Sequence, residues 1–404
     1  MRNGYKAIDV DLHIMEPLDL WEKRLPEPYR SSTIYRAPGG IEMHGNYELG
    51  VGDRQWRVKS PIISGQAKRR WGDPAARHLL EVNRNPTPER MIEGMDAEGL
   101  DVAAIIPTMT FQLTSADGVD PKHVLALCRV YNDWVAEFCS NHRDRLRFWA
   151  WLPRHDPELA AEEARRCVKE LGADGVGFTL GAVGGRLLSD PAFEPLWTEI
   201  ESLGVPFGLH VWGANATLND DTGRRFWNQP HGFGVGAIFS GVLQGMSAAP
   251  ELIFSGVLDR HPGMRVLIME TGNAWLLYIL DRMDEKFEKY AAEIAETYGV
   301  TLAHPPSEYF KRQCFVTCEG DEQALKYLLD IGLQDNLLFS TDYPHHDSPW
   351  PNATANLIAQ GLGADATRSI LWENSKDLFR WRDAPTGESP DAALRAAAAA
   401  AVGV

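Results

Sequence analysis

Asp11 and His13 in YKAIDVDLHIMEP, His210 in PFGLHVW, Glu270 in RVLIME and Asp342 in NLLFSTD all stand where a short apolar run ends. Each is of a type that ligates a divalent cation or moves a proton. In an extended strand, residues two apart share a side, so Asp11 and His13 both enter one cavity if that side faces the interior of a closed barrel. A carboxylate and an imidazole together suit a divalent first-row metal. Each residue also has a bland reading. Asp-x-His can be a polar strand end, His210 a satisfied core histidine, Asp342 an Asx turn ahead of Pro344, and Glu270 a carboxylate near a helix start. Their joint occurrence at four separate strand ends favours a site over four coincidences. His345 and His346 follow Asp342, and His345 is the candidate to line the pocket. Glu319, near the end of another run, is a lesser candidate.

To converge, these residues need a frame that gathers strand ends. Eight short runs are separated by helical periods: the first ends on Asp11 and His13, and VAAIIPT, RFWAWLP, DGVGFTL, PFGLHVW, RVLIME, QCFVTCEG and NLLFSTD follow. Apolar runs without alternation fit parallel strands buried on both faces, and the series predicts a (β/α)8 TIM barrel of the α/β class, whose catalytic groups lie at the C-terminal ends of the strands. A doubly wound open sheet is the competitor, weakened by the lack of a glycine-rich fingerprint after the first strand. Helices are predicted from Pro88 to Gly99, Asp120 to Asn141, Asp156 to Leu171, Pro191 to Leu203, Ala274 to Thr297 and Asp321 to Ile331, with a long helical region reaching His261 and the last helices between Ala353 and Phe379.

Residues 18–86 interrupt this order. Rich in Arg, Gly, Pro and Trp and without a sustained period, the stretch reads as a lid or dimer arm leaving the catalytic face. Within it Lys68, Arg69 and Arg70 beside Trp71 either supply a cation to an anionic substrate or form a solvated charge run. A second excursion spans 213–230. Residues 1–381 read as one barrel unit, and 382–404 as an Ala-rich low-complexity tail without assigned chemistry.

The net charge of −16 over 404 residues argues against nucleic acid or an anionic membrane as partner. No apolar run is long enough to span a bilayer, and MRNGYKAIDVDLH lacks a signal-like pattern, so the expectation is a cytoplasmic protein acting on a small molecule. Five cysteines without CxxC spacing suggest neither a disulfide framework nor a thiolate metal site. Trp21, Trp56, Trp71, Trp212 and Trp275 either flank a flat, apolar substrate or pack the core.

Taken together, DVDLHIMEP, LHVWG, DRHPGMRVLIMETGNAW and FSTDYPHHDSPWP, in this order from Tyr5 to Phe379, resemble the amidohydrolase-related (amidohydrolase 2) family, close to the aminocarboxymuconate semialdehyde decarboxylase group. The resemblance implies one divalent metal, zinc or else manganese, on Asp11, His13, His210 and Asp342, and a homodimer. Binuclear relatives place a bridging lysine at the fourth strand end; here that end carries Thr179, which implies a single metal. Decarboxylases of the group carry histidine where this chain has Glu270. A carboxylate facing a substrate carboxylate is repulsive unless protonated or metal-bound, so the departure favours a hydrolase acting on a C–C or C–N bond next to a carbonyl, with Glu270 as base and Asp342 as ligand and proton shuttle. A nonoxidative decarboxylase is the alternative, and a non-catalytic barrel scaffold the second.

Overall fold

The computed structural model describes residues 2–37, 46–59, 74–211, 232–345 and 348–381. The Lys68–Trp71 cluster, the second excursion with Trp212, His346 and the Ala-rich tail lie outside the described residues.

Strand β1 (Ile8–Ile14) is buried along its whole length and pairs in parallel with β5 (Val102–Pro107). From there the sheet runs through β6 (Leu146–Trp151), β7 (Gly175–Thr179), β8 (Phe207–His210), β9 (Val266–Met269), β10 (Cys314–Cys318) and β11 (Leu337–Phe339), neighbour to neighbour in chain order. With helices between them, the eight parallel strands form a nearly closed (β/α)8 barrel, as the apolar runs predict. Strands buried on both faces need no polar alternation, and so they read as continuous runs. Inside, the Trp149 indole occupies room that Gly175 and Gly208 leave, because a Cβ on either would crowd the ring, and its N–H donates to Val10 O at 3.0 Å.

Local chemistry places the helices. Pro88–Glu98, Pro121–Cys139 and Pro157–Arg166 each begin with proline after an N-cap whose side chain accepts a backbone N–H: Thr87, Asp120 and Asp156. Gly99 at φ 92° closes the first in the left-handed region. Among the described residues no helix is long and apolar enough to cross a membrane.

The first excursion has structure that its sequence does not advertise. Strands β2 (Thr33–Arg36), β3 (Asn46–Val51) and β4 (Arg54–Lys59) form an antiparallel sheet, and Pro74–Arg84 is a helix. Strands of four to six residues, with charged side chains between the buried ones, are too short to establish a period. Tyr35 ties the sheet to the barrel by donating to Glu16 O at 3.0 Å. The helix fastens to the loop after β11: His78 Nε2 lies 2.8 Å from Tyr343 Oη, its ring stacks on Trp350, and Asn83 donates to Pro344 O at 2.9 Å. A further short helix, Met109–Thr114, also lay outside the expected set. It is anchored by buried Glu16, whose carboxylate accepts from the Met109 and Thr110 N–H groups at 2.8 Å each.

Tyr343 also constrains the helix beneath it. Alanine is the better helix former by about 1 kcal/mol, yet a Cβ on Gly94 would overlap the Tyr343 phenol. Gly94→Ala is therefore expected to destabilise the protein by roughly 1–3 kcal/mol, the usual scale of overpacking, seen as a lower Tm in thermal denaturation. A raised Tm would show that propensity outweighs the contact.

Candidate metal and catalytic site

Asp11 and His13 lie near the C-terminal end of β1, where the pairing with β5 shifts register between Asp9 and Leu12. His210 is the last residue of β8, Glu270 directly follows β9, and Asp342 and His345 lie on the loop after β11. The barrel brings all six together. Ligand atoms of Asp11, His13 and His210 lie within 4.8 Å of one another, as do those of His13, Glu270, Asp342 and His345. His13, common to both groups, is the centre of the cluster. Its Nε2 is 3.7 Å from Asp11 Oδ1, 3.4 Å from Asp342 Oδ1 and 3.9 Å from Glu270 Oε2. His210 Nε2 is 3.5 Å from Asp11 Oδ1 and 3.1 Å from Glu270 Oε2. On the far side, the His345 ring lies 3.9 Å from that of His13, and its Nδ1 is 2.7 Å from Asp342 Oδ1.

Both imidazoles are oriented from behind. His13 Nδ1 faces Pro107 O at 3.0 Å and Thr108 Oγ1 at 3.1 Å, and His210 Nδ1 faces Val211 O at 2.6 Å. A proton on Nδ1 donated to these carbonyls leaves Nε2 as the lone-pair donor, the arrangement typical of metal-binding histidines. Those Nε2 atoms and both Asp11 carboxylate oxygens are buried without a hydrogen-bond partner. Buried polar atoms that converge unsatisfied are costly unless something between them takes their lone pairs. These atoms fit a divalent cation.

The electrostatics lead to the same place. Burial, followed by the neighbouring His345 and His210, holds His13 well below the ordinary histidine pKa and therefore neutral. At His210 burial also pulls downward, but the Asp11 and Glu270 carboxylates outweigh it and raise the pKa to about 10. The carboxylates thus call for positive charge between them, which a proton on His210 or a bound cation can supply.

Glu270 and Asp342 have φ values of 54° and 55°, a left-handed backbone unusual for side chains of this kind. Each is held by its surroundings. The Glu270 N–H donates to Thr317 Oγ1 at 2.9 Å, while Asn273 donates to Thr317 O at 3.0 Å and to Glu322 Oε1 at 2.9 Å. The Trp275 indole N–H donates to Gly272 O at 2.7 Å. Trp275 is thus a brace for the Glu270 turn. Trp21 and Trp56 are buried too, Trp21 edge-on to Tyr35 at 4.9 Å.

The aromatic ring beside the cluster is Phe111, 4.4 Å from the His210 ring and 5.7 Å from that of His13. It lies on the Met109–Thr114 helix, outside the expected set. Asp9, fully buried behind Asp11 with its pKa pushed up to about 7 by burial, is the other residue missed. A signal for Asp9 existed, since it continues the every-second-residue pattern of Asp11 and His13. Glu319 lies one residue past β10, where its N–H donates to Glu322 Oε1 at 2.9 Å.

Comparison with known proteins agrees with this architecture. A γ-resorcylate decarboxylase of Rhodococcus jostii is 33% identical over 276 residues, covering 64% of this chain and 78% of that protein. Among solved structures, an amidohydrolase from Mycobacterium avium subsp. paratuberculosis superposes with a TM-score of 0.75 at 21% identity, covering 93% of this chain and 99% of that one. A dihydroxybenzoic acid decarboxylase from Polaromonas sp. JS666, solved with bound manganese and the inhibitor 2-nitroresorcinol, superposes with a TM-score of 0.60 at 20% identity, covering 94% and 98%. The amidohydrolase family model matches residues 8–381, and with it the chain belongs to the amidohydrolase family.

Proposed function

We propose that this chain is a metal-dependent, nonoxidative decarboxylase of an aromatic or muconate-like acid. The observation that carries the metal is the convergence of Asp11, His13 and His210 with their inward atoms unpartnered. The relatives support the reaction, since a γ-resorcylate decarboxylase is 33% identical over 276 residues, whereas hydrolysis, the reading the sequence alone favoured, has support only from the breadth of the superfamily.

Asp11, His13, His210 and Asp342 would hold one divalent ion, zinc or manganese; manganese occupies the Polaromonas relative. When bound, the ion acts as a Lewis acid and template that orients an anionic substrate. The protein's own groups do the rest. Breaking the bond between the substrate carbon and its carboxylate leaves an electron pair on that carbon, which must take a proton as carbon dioxide departs. Asp342 and His345, paired at 2.7 Å, form a unit that can hold and deliver one. Phe111 offers a flat apolar wall beside the histidines. Glu270, a quarter exposed, lies 3.1 Å from His210 Nε2, and its carboxylate is repulsive toward a substrate carboxylate unless a cation lies between them. The reading also takes residues 1–381 as one cytoplasmic catalytic unit, 18–86 as its lid or dimer arm, 382–404 as a tail outside it, and the protein as a homodimer.

A second reading rests on Glu270 itself. At 3.1 Å from His210 Nε2 it is also placed to act as a general base toward water, and this would make the enzyme a hydrolase of a C–C or C–N bond beside a carbonyl.

Metal-stripped protein is expected to be inactive toward a panel of hydroxybenzoates, with carbon dioxide release restored by manganese or zinc. Incorporation of labelled water oxygen into product without carbon dioxide would overturn decarboxylation in favour of hydrolysis. Less than about half an equivalent of metal, with no uptake on addition, would count against any metal chemistry here.

Glu270→Gln separates the two readings further, because glutamine keeps the volume and cannot ionise. A hydrolase that uses Glu270 as base should lose at least about a hundredfold in turnover. A decarboxylase that draws its proton from Asp342 and His345 should show a smaller loss.

A further inference from the structure

The first and last strands of the barrel, β1 and β11, meet along a seam, and among the described residues no ladder pair joins them. Two backbone links cross it instead, beside the side-chain contacts of His13 with Asp342 and His345. The His13 N–H donates to Tyr343 O at 2.8 Å. The second runs through Asp9, whose Oδ1 accepts from the Asp11 N–H at 3.0 Å and whose Oδ2 accepts from the Thr341 N–H at 3.1 Å and from the Thr341 hydroxyl. Thr341 Oγ1 accepts in turn from the Tyr343 N–H at 3.1 Å. Asp9 is fully buried.

These contacts fall beside the candidate ligands. The Asp11 N–H is a backbone group of a ligand residue, and Thr341 immediately precedes Asp342. The register shift between Asp9 and Leu12 is where the Asp11 N–H finds a side-chain acceptor. One carboxylate therefore grips the backbone on both sides of the seam, at the points where each side presents a ligand. We propose that Asp9 is a positioning residue, a clasp that sets the separation of Asp11 and His13 from Asp342 and thereby the geometry of the metal centre. The inference rests on the metal reading above.

The residue type follows from the donors it faces. Three N–H or O–H groups point at Asp9, and a carboxyl group offers an acceptor oxygen to each side of the seam. Asparagine can serve Asp11 or Thr341, but its NH2 then faces a backbone N–H on the other side. Glutamate adds a methylene where there is no exposure to absorb it.

The test is metal affinity, read without turnover. Titrating manganese into metal-stripped protein and following the loss of the free-ion EPR signal gives a Kd for each variant, alongside its Tm. Asp9→Asn is expected to weaken binding about 10–100-fold, the scale for partners that orient metal ligands. Thr341→Val, which removes one of the three donors, should weaken it less, and Thr341→Ser, which keeps the hydroxyl, should restore it. Leu328→Ala, in the buried face of the Leu325–Asp330 helix, supplies a control that lowers Tm without touching the seam. If Asp9→Asn fails to fold, the Thr341 pair decides: equal affinity for the valine and serine variants overturns the clasp. So does an Asp9→Asn protein that binds as the parent does, or a Leu328→Ala control that loses as much affinity for the same drop in Tm. A parent that binds neither manganese nor zinc overturns the metal reading and this inference with it.

Discussion

The arrangement depends on a charge problem that one bound cation solves. Asp11, His13 and His210 are each about 1% exposed, and Glu270 and Asp342 bring two more carboxylates to the same point. Acids buried this closely repel one another and lose hydration, which costs several kcal/mol per ion even after relaxation. His210 shows the response in its pKa, which the carboxylates raise to about 10 in spite of burial. A divalent ion held by these residues would answer the same demand.

Holding such a cluster requires backbone that would not arise unsupported. Glu270 and Asp342 sit at positive φ, a conformation that costs of order 1–3 kcal/mol for a side chain of this kind. Support comes from neighbouring strand ends: Thr317, Asn273 and Trp275 around Glu270, and Thr341 with Tyr343 around Asp342. The excursion after β1 adds an outer layer, since His78 and Asn83 grip the loop that carries Asp342 and His345. Whatever else residues 74–84 do, their position is tied to that of the site.

Glu270 follows the sixth barrel strand and adds a further carboxylate to the cluster. A carboxylate at the end of the sixth barrel strand is at odds with an anionic ligand unless a cation lies between them. The tension is physical, because like charges at hydrogen-bond distance exclude one another. The Glu270 N–H is held by Thr317, so this carboxylate enters the cluster from a fixed backbone.

Much of this was determined by the sequence alone. Parallel strands buried on both faces have to be written as apolar runs, helix starts carry Thr or Asp before Pro, and strand ends that open into a polar cluster carry Asp, His or Glu; these are local requirements, so the barrel and the convergence of Asp11, His13, His210, Glu270 and Asp342 were legible. His345 was legible only through its nearness to Asp342. The tertiary structure alone decided what depends on distant partners. Asp9 shares the every-second-residue spacing of Asp11 and His13, but it acquires its role only when folding sets it against Thr341, 332 residues away. Phe111 needed a helix whose anchor is Glu16, and the small sheet of the excursion needed strand pairing that four to six residues cannot announce by period. A one-dimensional pattern records which face a residue prefers, whereas hydrogen bonds between remote segments are set by where the chain returns.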